Sequence, residues 1–206
     1  MLNSKRAIVC CALAVLATLF PCAHGQVLQG SDLTHALKGG GYVIVMRHAS
    51  SPRSTPNPEE QAPGNTKSER QLDQSGIDAA KQMGVALRRL DIPIGVVYSS
   101  PTFRALETIR FANLGRAVVV RELGDNGMSM TSTSAEQTSW LRKAVTHFES
   151  KKDVFIVTHM PNIVAAFPDG SAGLGDGEAL MFGPDGQGGA RIVARIKIDE
   201  WSRLPH

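Results

Sequence analysis

Cysteine is scarce and badly placed for structural use. The 206-residue chain has three, Cys10, Cys11 and Cys22, and all fall in a stretch with the make-up of a leader. Lys5 and Arg6 form a basic start, residues 7–20 an apolar run, and Ala23-His24-Gly25 a small-x-small cleavage site. The sequence thus predicts a signal peptide over 1–25, export to the periplasm or the medium, and a mature chain 26–206 without a thiol. Such surroundings permit disulfides, yet this chain would have none to form, so its stability has to come from an apolar core. Thiolate metal sites are excluded as well. A lipid anchor on Cys22 is disfavoured by Phe20 and Pro21, where small residues are expected.

Long apolar runs are also missing. The stretch 7–20 falls short of the roughly 20 residues that span a bilayer, and no later run is longer, so stable membrane insertion after cleavage is not expected. Aromatic residues make up only 5% and the net charge is +3. The leader holds two cations and no acid, which leaves the mature chain at +1. There is no basic stripe with interleaved aromatics, so nucleic acid is not an expected partner. Internal repeats and linkers are absent, and the 181 residues left after cleavage fit one domain.

What is present is a set of short apolar runs, each ending in polar residues suited to phosphate. Gly41-Tyr42-Val43-Ile44-Val45-Met46 leads into Arg47-His48-Ala49, Gly95-Val96-Val97-Tyr98 into Ser99-Ser100-Pro101-Thr102-Phe103-Arg104, and Asp153-Val154-Phe155-Ile156-Val157 into Thr158-His159. Runs of this length and β-branched content read as buried strands, and ligands of open α/β sheets bind outside the carboxyl ends of such strands. Helical segments are predicted over 26–40, capped by Ser31 or Asp32 and closed by glycine, and over 74–90, with Ile77, Ala80, Gly84 and Leu87 as one apolar stripe. A third follows Ser100-Pro101, read as N-cap and first helical position with Arg104 in the first turn. A fourth covers 134–150, and a short one follows His159. A strand over 117–120 runs into a loop bearing Glu122 and Asp125, and strands over 179–182 and 191–198 close the sheet. Residues 50–68 form a long Ser/Pro/Asn/Glu loop leaving the Arg-His pair, readable as a lid or as a disordered connection. Residues 169–189 are glycine-rich, without the alternating oxygen ligands of a calcium loop.

Arg47, His48, Arg104 and His159, with Glu122 or Asp125, suit phosphoryl transfer. Two guanidiniums match phosphate oxygens, a histidine can take the phosphoryl group covalently, and a carboxyl can protonate the leaving oxygen and then serve as base for water. The second histidine donates to the equatorial oxygens. No metal or cofactor is required, and the arginines oppose a zinc ion on the two histidines.

The chain resembles the histidine phosphatase superfamily, also called phosphoglycerate mutase-like. The likeness rests on Arg47-His48-Ala49, on Ser99-Ser100-Pro101-Thr102-Phe103-Arg104-Ala105-Leu106-Glu107-Thr108, on Thr158-His159, and on Leu72-Asp73-Gln74-Ser75-Gly76 with its helix. It implies a single-domain three-layer α/β sandwich with a mostly parallel central sheet and helices on both faces. It also implies an enzyme phosphorylated on His48, with Arg47, Arg104 and His159 holding the phosphoryl group. Alanine follows the catalytic histidine where the family often has glycine. The family's acid pattern aligns best as Leu123-Gly124-Asp125, which favours Asp125 over Glu122 as proton donor. The expected activity is an exported phosphomonoesterase on a small-molecule ester, a sugar phosphate being the substrate class suggested by exported relatives. The alternatives are a phosphotransferase or mutase, and a phospholigand-binding or regulatory protein with little turnover.

Overall fold

In the run Val43–Arg47 (β1), Val43 and Val45 point to one face of the sheet and Ile44 and Met46 to the other, and all four are fully buried. A strand buried on both faces reads as a continuous apolar run, which is why no polar alternation marks it. The structure, a computed structural model, describes residues 27–125 and 133–206. The expected signal peptide and the three cysteines lie outside the described residues.

Among the described residues, β1, Ile94–Ser99 (β2), Val118–Val119 (β3), Asp153–Thr158 (β4), Ala179–Pro184 (β5) and Ala190–Ile196 (β6) form one sheet in the order β3-β2-β4-β1-β5-β6. The first four are mutually parallel, while β5 runs antiparallel to both β1 and β6. Helices Gly30–Gly39 (α1), Gln74–Arg89 (α2) and Phe103–Ala112 (α3) bury Leu37, Met83, Leu87 and Ile109 against one face, joined by Trp201. Ala135–Ala144 (α4) and Met160–Ala166 (α5) bury Leu141 and Ile163 against the other. This is the expected three-layer sandwich. Each such side chain contributes about 1.5–3 kcal/mol when fully buried.

The register brings the strand tips together. Arg47 pairs with Thr158 and Ser99 with Val157, so β1, β4 and β2 end side by side. Backbone bonds carry the alignment past the strands, His48 N–H to Thr158 O at 3.0 Å and Ser100 N–H to Val157 O at 2.9 Å. Behind the tips, α2 packs closely. Its N-cap Asp73 accepts from Gly76 N–H and from the Ser50 hydroxyl, both at 2.7 Å. A methyl group on Gly76 would overlap the Ser50 backbone, and one on Gly84 the Ala112 carbonyl of α3.

Four expectations are corrected in detail. Helix α1 starts at Gly30 with Gln29 as N-cap and no side-chain cap, so Ser31 and Asp32 sit in its first turn; its glycine end holds, with Gly40 at φ 67°. Helix α3 is capped by Thr102, not Ser100, because Thr102 keeps an extended backbone (φ −70°, ψ 146°) and its N–H is taken by the Ser100 hydroxyl at 3.2 Å. Helix α4 stops at Ala144 instead of reaching 150, since Thr146 Oγ1 and His147 Nδ1 both turn back onto the Lys143 carbonyl at 2.9 Å and compete with the helical ladder. Strand β3 keeps two of the four residues expected.

Two tests follow from the packing. Gly84→Ala should destabilise the fold by about 1–3 kcal/mol in urea titration through overpacking against α3. Asp153 is fully buried at the start of β4, with Oδ1 accepting from Tyr42 N–H at 3.0 Å and Oδ2 without a hydrogen-bond partner. Burial raises its pKa from 3.8 to about 7. A carboxyl whose folded value is raised stabilises the fold in its protonated form, so stability should fall as pH rises from about 4 through about 7. Asp153→Asn should flatten that part of the pH profile of thermal unfolding.

Candidate active site

The tips of β1, β2 and β4 open into a cavity of about 450 Å³ lined by Arg47, His48, Arg104, Asp125 and His159 among others. A second groove, about 480 Å³, lies by Tyr98, Trp140 and Phe148 and contains none of the cluster residues. The expected cluster is thus brought together, except for Glu122. That residue lies in the 3₁₀ turn Arg121–Leu123, half-buried and away from the cavity wall, whereas Asp125 is 3% exposed and lines it.

Arg104 is the centre of the arrangement. Standing in the first turn of α3 and only 3% exposed, it donates from Nε to His48 Nε2 and from Nη2 to His159 Nδ1, each at 3.2 Å. The same Nη2 forms a buried ion pair with Asp125 Oδ2. The helix start that carries Arg104 is fixed from outside: Glu69 Oε2 accepts from Phe103 N–H at 2.8 Å, and Thr108 Oγ1 links Arg104 O to Ala49 N–H at 2.9 and 3.1 Å.

The two imidazoles have opposite tautomers, each set by a partner with one hydrogen-bonding role. A carbonyl only accepts, so His48 Nδ1–H donates to Ala49 O at 2.7 Å and leaves Nε2 as a lone pair. A guanidinium only donates, so His159 Nδ1 accepts from Arg104 and Nε2–H donates to Ser100 Oγ at 2.9 Å. The ring centroids are 5.3 Å apart and inclined at 63°. Burial holds His48 well below the ordinary value of 6.5, and His159 and Arg104 push it further down. Burial does the same to His159, followed by Arg104, Arg70 and Arg47. Both rings are neutral near pH 7.

Arg47 reaches across to the 169–189 segment, where Nη2 pairs with Asp176 Oδ1 at 2.5 Å and Nη1 donates to Leu174 O at 3.1 Å. That segment is tied to β1 by Gly177 N–H to His48 O at 2.9 Å and by Arg47 N–H to Glu178 O at 3.0 Å. Glu178 is in turn bonded to Arg195, at 2.5 and 3.0 Å.

Sequence reasoning missed Arg53, Arg70 and Asp176, all of which line the cavity. Arg70 donates from Nε to Pro52 O at 2.5 Å and from Nη2 to Ser51 O at 3.0 Å. The loop 50–68 is folded back by buried Asn65, which exchanges bonds with the Glu69 backbone at 2.7 and 2.9 Å, and by Ser51 Oγ on Gln71 O at 2.7 Å. Residues 50–70 hold Arg53, Lys67 and Arg70 against Glu59, Glu60 and Glu69, so composition gave no signal for the loop cations.

The fold and cluster define a phosphoryl-handling α/β protein. The model of the histidine phosphatase superfamily (branch 1) matches residues 43–125. Among solved structures, the protein histidine phosphatase SixA, complexed with tungstate, is 18% identical; the match covers 77% of this chain and 98% of that one with a TM-score of 0.57. A phosphoserine phosphatase from Entamoeba histolytica, in complex with phosphoserine, is 15% identical; the match covers 76% of this chain and 97% of that one with a TM-score of 0.52. Likeness at this level bears on the fold. Comparison with curated proteins gives no match.

The histidine geometry has a direct readout. In the empty protein both His48 and His159 should titrate below 6.5 in imidazole NMR spectra, and inorganic phosphate should raise the His159 value by placing negative charge among the arginines. Either ring titrating at or above 6.5 without ligand would contradict the burial-driven neutral state.

Proposed function

We propose that the chain is an exported phosphomonoesterase working through a phosphohistidine on His48. The observation that carries this reading is the unprotonated Nε2 of His48, fixed as an acceptor by the Nδ1–H bond to Ala49 O and by the donor Nε of Arg104. Arg47, Arg104 and His159 hold the phosphoryl group, and Asp125 is the proton donor. Residues 1–25 serve as the signal peptide of a mature domain 26–206.

In the empty site Arg104 occupies the Nε2 lone pair. An arriving phosphoryl dianion is the stronger acceptor, so the guanidinium transfers its donors to phosphate oxygens and frees Nε2 to attack phosphorus. The same transfer loosens the Arg104–Asp125 pair and sets the negative charge of the ester next to the carboxyl. Asp125 then gives its proton to the leaving alkoxide as the P–O bond breaks and the P–N bond forms. In the second half it takes a proton from water, which attacks phosphorus and releases His48 and inorganic phosphate. His159, whose Nε2–H is committed to Ser100, becomes a donor to the phosphoryl oxygens through Nδ1 once the arriving negative charge favours its protonated form. A sugar phosphate remains the substrate class favoured by the sequence resemblance.

The test is phosphate release by residues 26–206 from a panel of phosphomonoesters. His48→Ala should abolish turnover, and Asp125→Asn should lower kcat by about 10²–10⁴-fold. Glu122→Gln should remain within a few-fold of wild type. Equal silence of wild type and His48→Ala would instead favour a phospholigand-binding protein, and transfer to an added alcohol without net phosphate release would favour a mutase.

A further inference from the structure

One arm of the phosphate cradle carries its own anion. Arg47 Nη2 pairs with Asp176 Oδ1 at 2.5 Å, and Nη1 donates to Leu174 O at 3.1 Å with Met160 Sδ beside it at 3.8 Å. Arg47 and Asp176 both line the cavity, and both side chains keep contact with water, 22% and 38% exposed. Among the described residues nothing accepts from Arg47 Nε, so Nε and the second hydrogen of Nη2 form the edge that can meet a phosphoryl oxygen. That edge shares Nη2 with the carboxylate. A phosphoryl group bound there lies beside Asp176.

The backbone under Asp176 does not let it swing away. Gly177 N–H bonds to His48 O at 2.9 Å, and Glu178 O takes Arg47 N–H at 3.0 Å. The buried Glu178 side chain closes the turn. Its Oε2 accepts from Gly175 N–H at 2.7 Å, Arg195 holds it at 2.5 and 3.0 Å, and Arg195 Nη1 reaches on to Ala172 O at 2.8 Å. Gly177 stands at φ 68°, a left-handed conformation, and a methyl group on it would approach Ile198 to 2.7 Å. Only its own side-chain torsions can therefore take the Asp176 carboxylate off Arg47. The pair has two opposing effects on an anion. It keeps the guanidinium oriented, and it sets a like charge next to an arriving dianion. Leu174 O also orients Arg47, whereas the charge paired with Arg47 comes from Asp176.

We propose that Asp176 is a built-in counter-anion that competes with phosphate for Arg47, keeping the guanidinium oriented while weakening the hold of the site on inorganic phosphate, the product it has to release. This rests on the phosphate cradle of the phosphatase reading and deepens it by naming what limits product retention. Asp176 is a positioning residue: it acts on the ligand through Arg47 and takes no part in bond making.

The experiment measures the dissociation constant of inorganic phosphate by calorimetry for the wild-type chain, Asp176→Asn, Asp176→Ser and Asp176→Glu. Asparagine keeps an acceptor for Arg47 and removes the charge, so Asp176→Asn should bind phosphate about tenfold more tightly or better, the effect of a unit charge about 5 Å away at a partly exposed site. Asp176→Ser, which removes the charge with a different side chain, should tighten binding as well, and Asp176→Glu, which restores it, should stay close to wild type. Added salt should shrink the gain. In turnover, Asp176→Asn should lower KM and the product-inhibition constant of phosphate together without raising kcat, as for an interaction felt equally in ground and transition states. A merely structural role has the opposite sign, because a loosened 169–189 segment frees Arg47 and weakens phosphate binding. Binding unchanged or weakened in both Asp176→Asn and Asp176→Ser, or tightened as much in Asp176→Glu, overturns the proposal and leaves the phosphatase reading standing. Tighter binding in Asp176→Asn, with no ester turned over by the wild type, supports the counter-anion and overturns the phosphatase reading. Phosphate bound by none of the four proteins overturns both.

Discussion

A buried guanidinium holds this site together. Arg104 is almost wholly out of water and bonds at once to His48, His159 and Asp125, residues from three different segments of the chain. An unpaired charge at that depth would be costly, and removing one partner of a buried pair costs about 3–5 kcal/mol. Much of the surrounding structure serves to keep the pairing in place. Glu69 caps the helix start, Thr108 ties that helix to Ala49, and Asn162 braces the acid loop from below through the Leu123 and Gly124 carbonyls at 3.1 and 3.0 Å. Without a ligand, then, the phosphate cradle satisfies its own charges internally.

Internal satisfaction also keeps the site from filling with the wrong charge. Burial and neighbouring arginines hold both imidazoles neutral, so the positive potential comes from arginines, which do not titrate in the accessible range. In the proposed mechanism a nucleophilic histidine has to be neutral to attack, and the arginines that lower its proton affinity would also draw in an anion, so one physical cause would serve both binding and reactivity.

Local sequence made the strand tips legible because each functional side chain follows directly on an apolar run: Arg47 and His48 after 43–46, His159 after 154–157. Arg104 was placed in the first turn of α3 even though the cap was misassigned, since a shift of two residues at a helix start leaves the residue near the same end. Spacing alone does not separate Asp125 from Glu122. In a turn with no repeating period, side-chain direction depends on the backbone angles of each residue, and here they send Asp125 to Arg104 and leave Glu122 half-buried elsewhere. Arg53, Arg70 and Asp176 were illegible for the same reason on a larger scale. Their loops are shaped by single side-chain to backbone bonds, such as those of Asn65 and Glu178, which have no signature in composition or periodicity.

The two histidines show how far equal burial can yield unequal chemistry. Both lie at neighbouring strand tips and both are 3% exposed, yet one presents a lone pair to the cavity side of Arg104 and the other a proton to Ser100. The difference traces to one carbonyl. Ala49 O takes the Nδ1 proton of His48, while His159 has its Nδ1 facing a guanidinium that can only donate. The acceptor atom of each ring is thereby set before any ligand arrives. A dianion that draws Arg104 away from both rings changes their charge environment together, freeing the lone pair of His48 and raising the proton affinity of His159 in the same step.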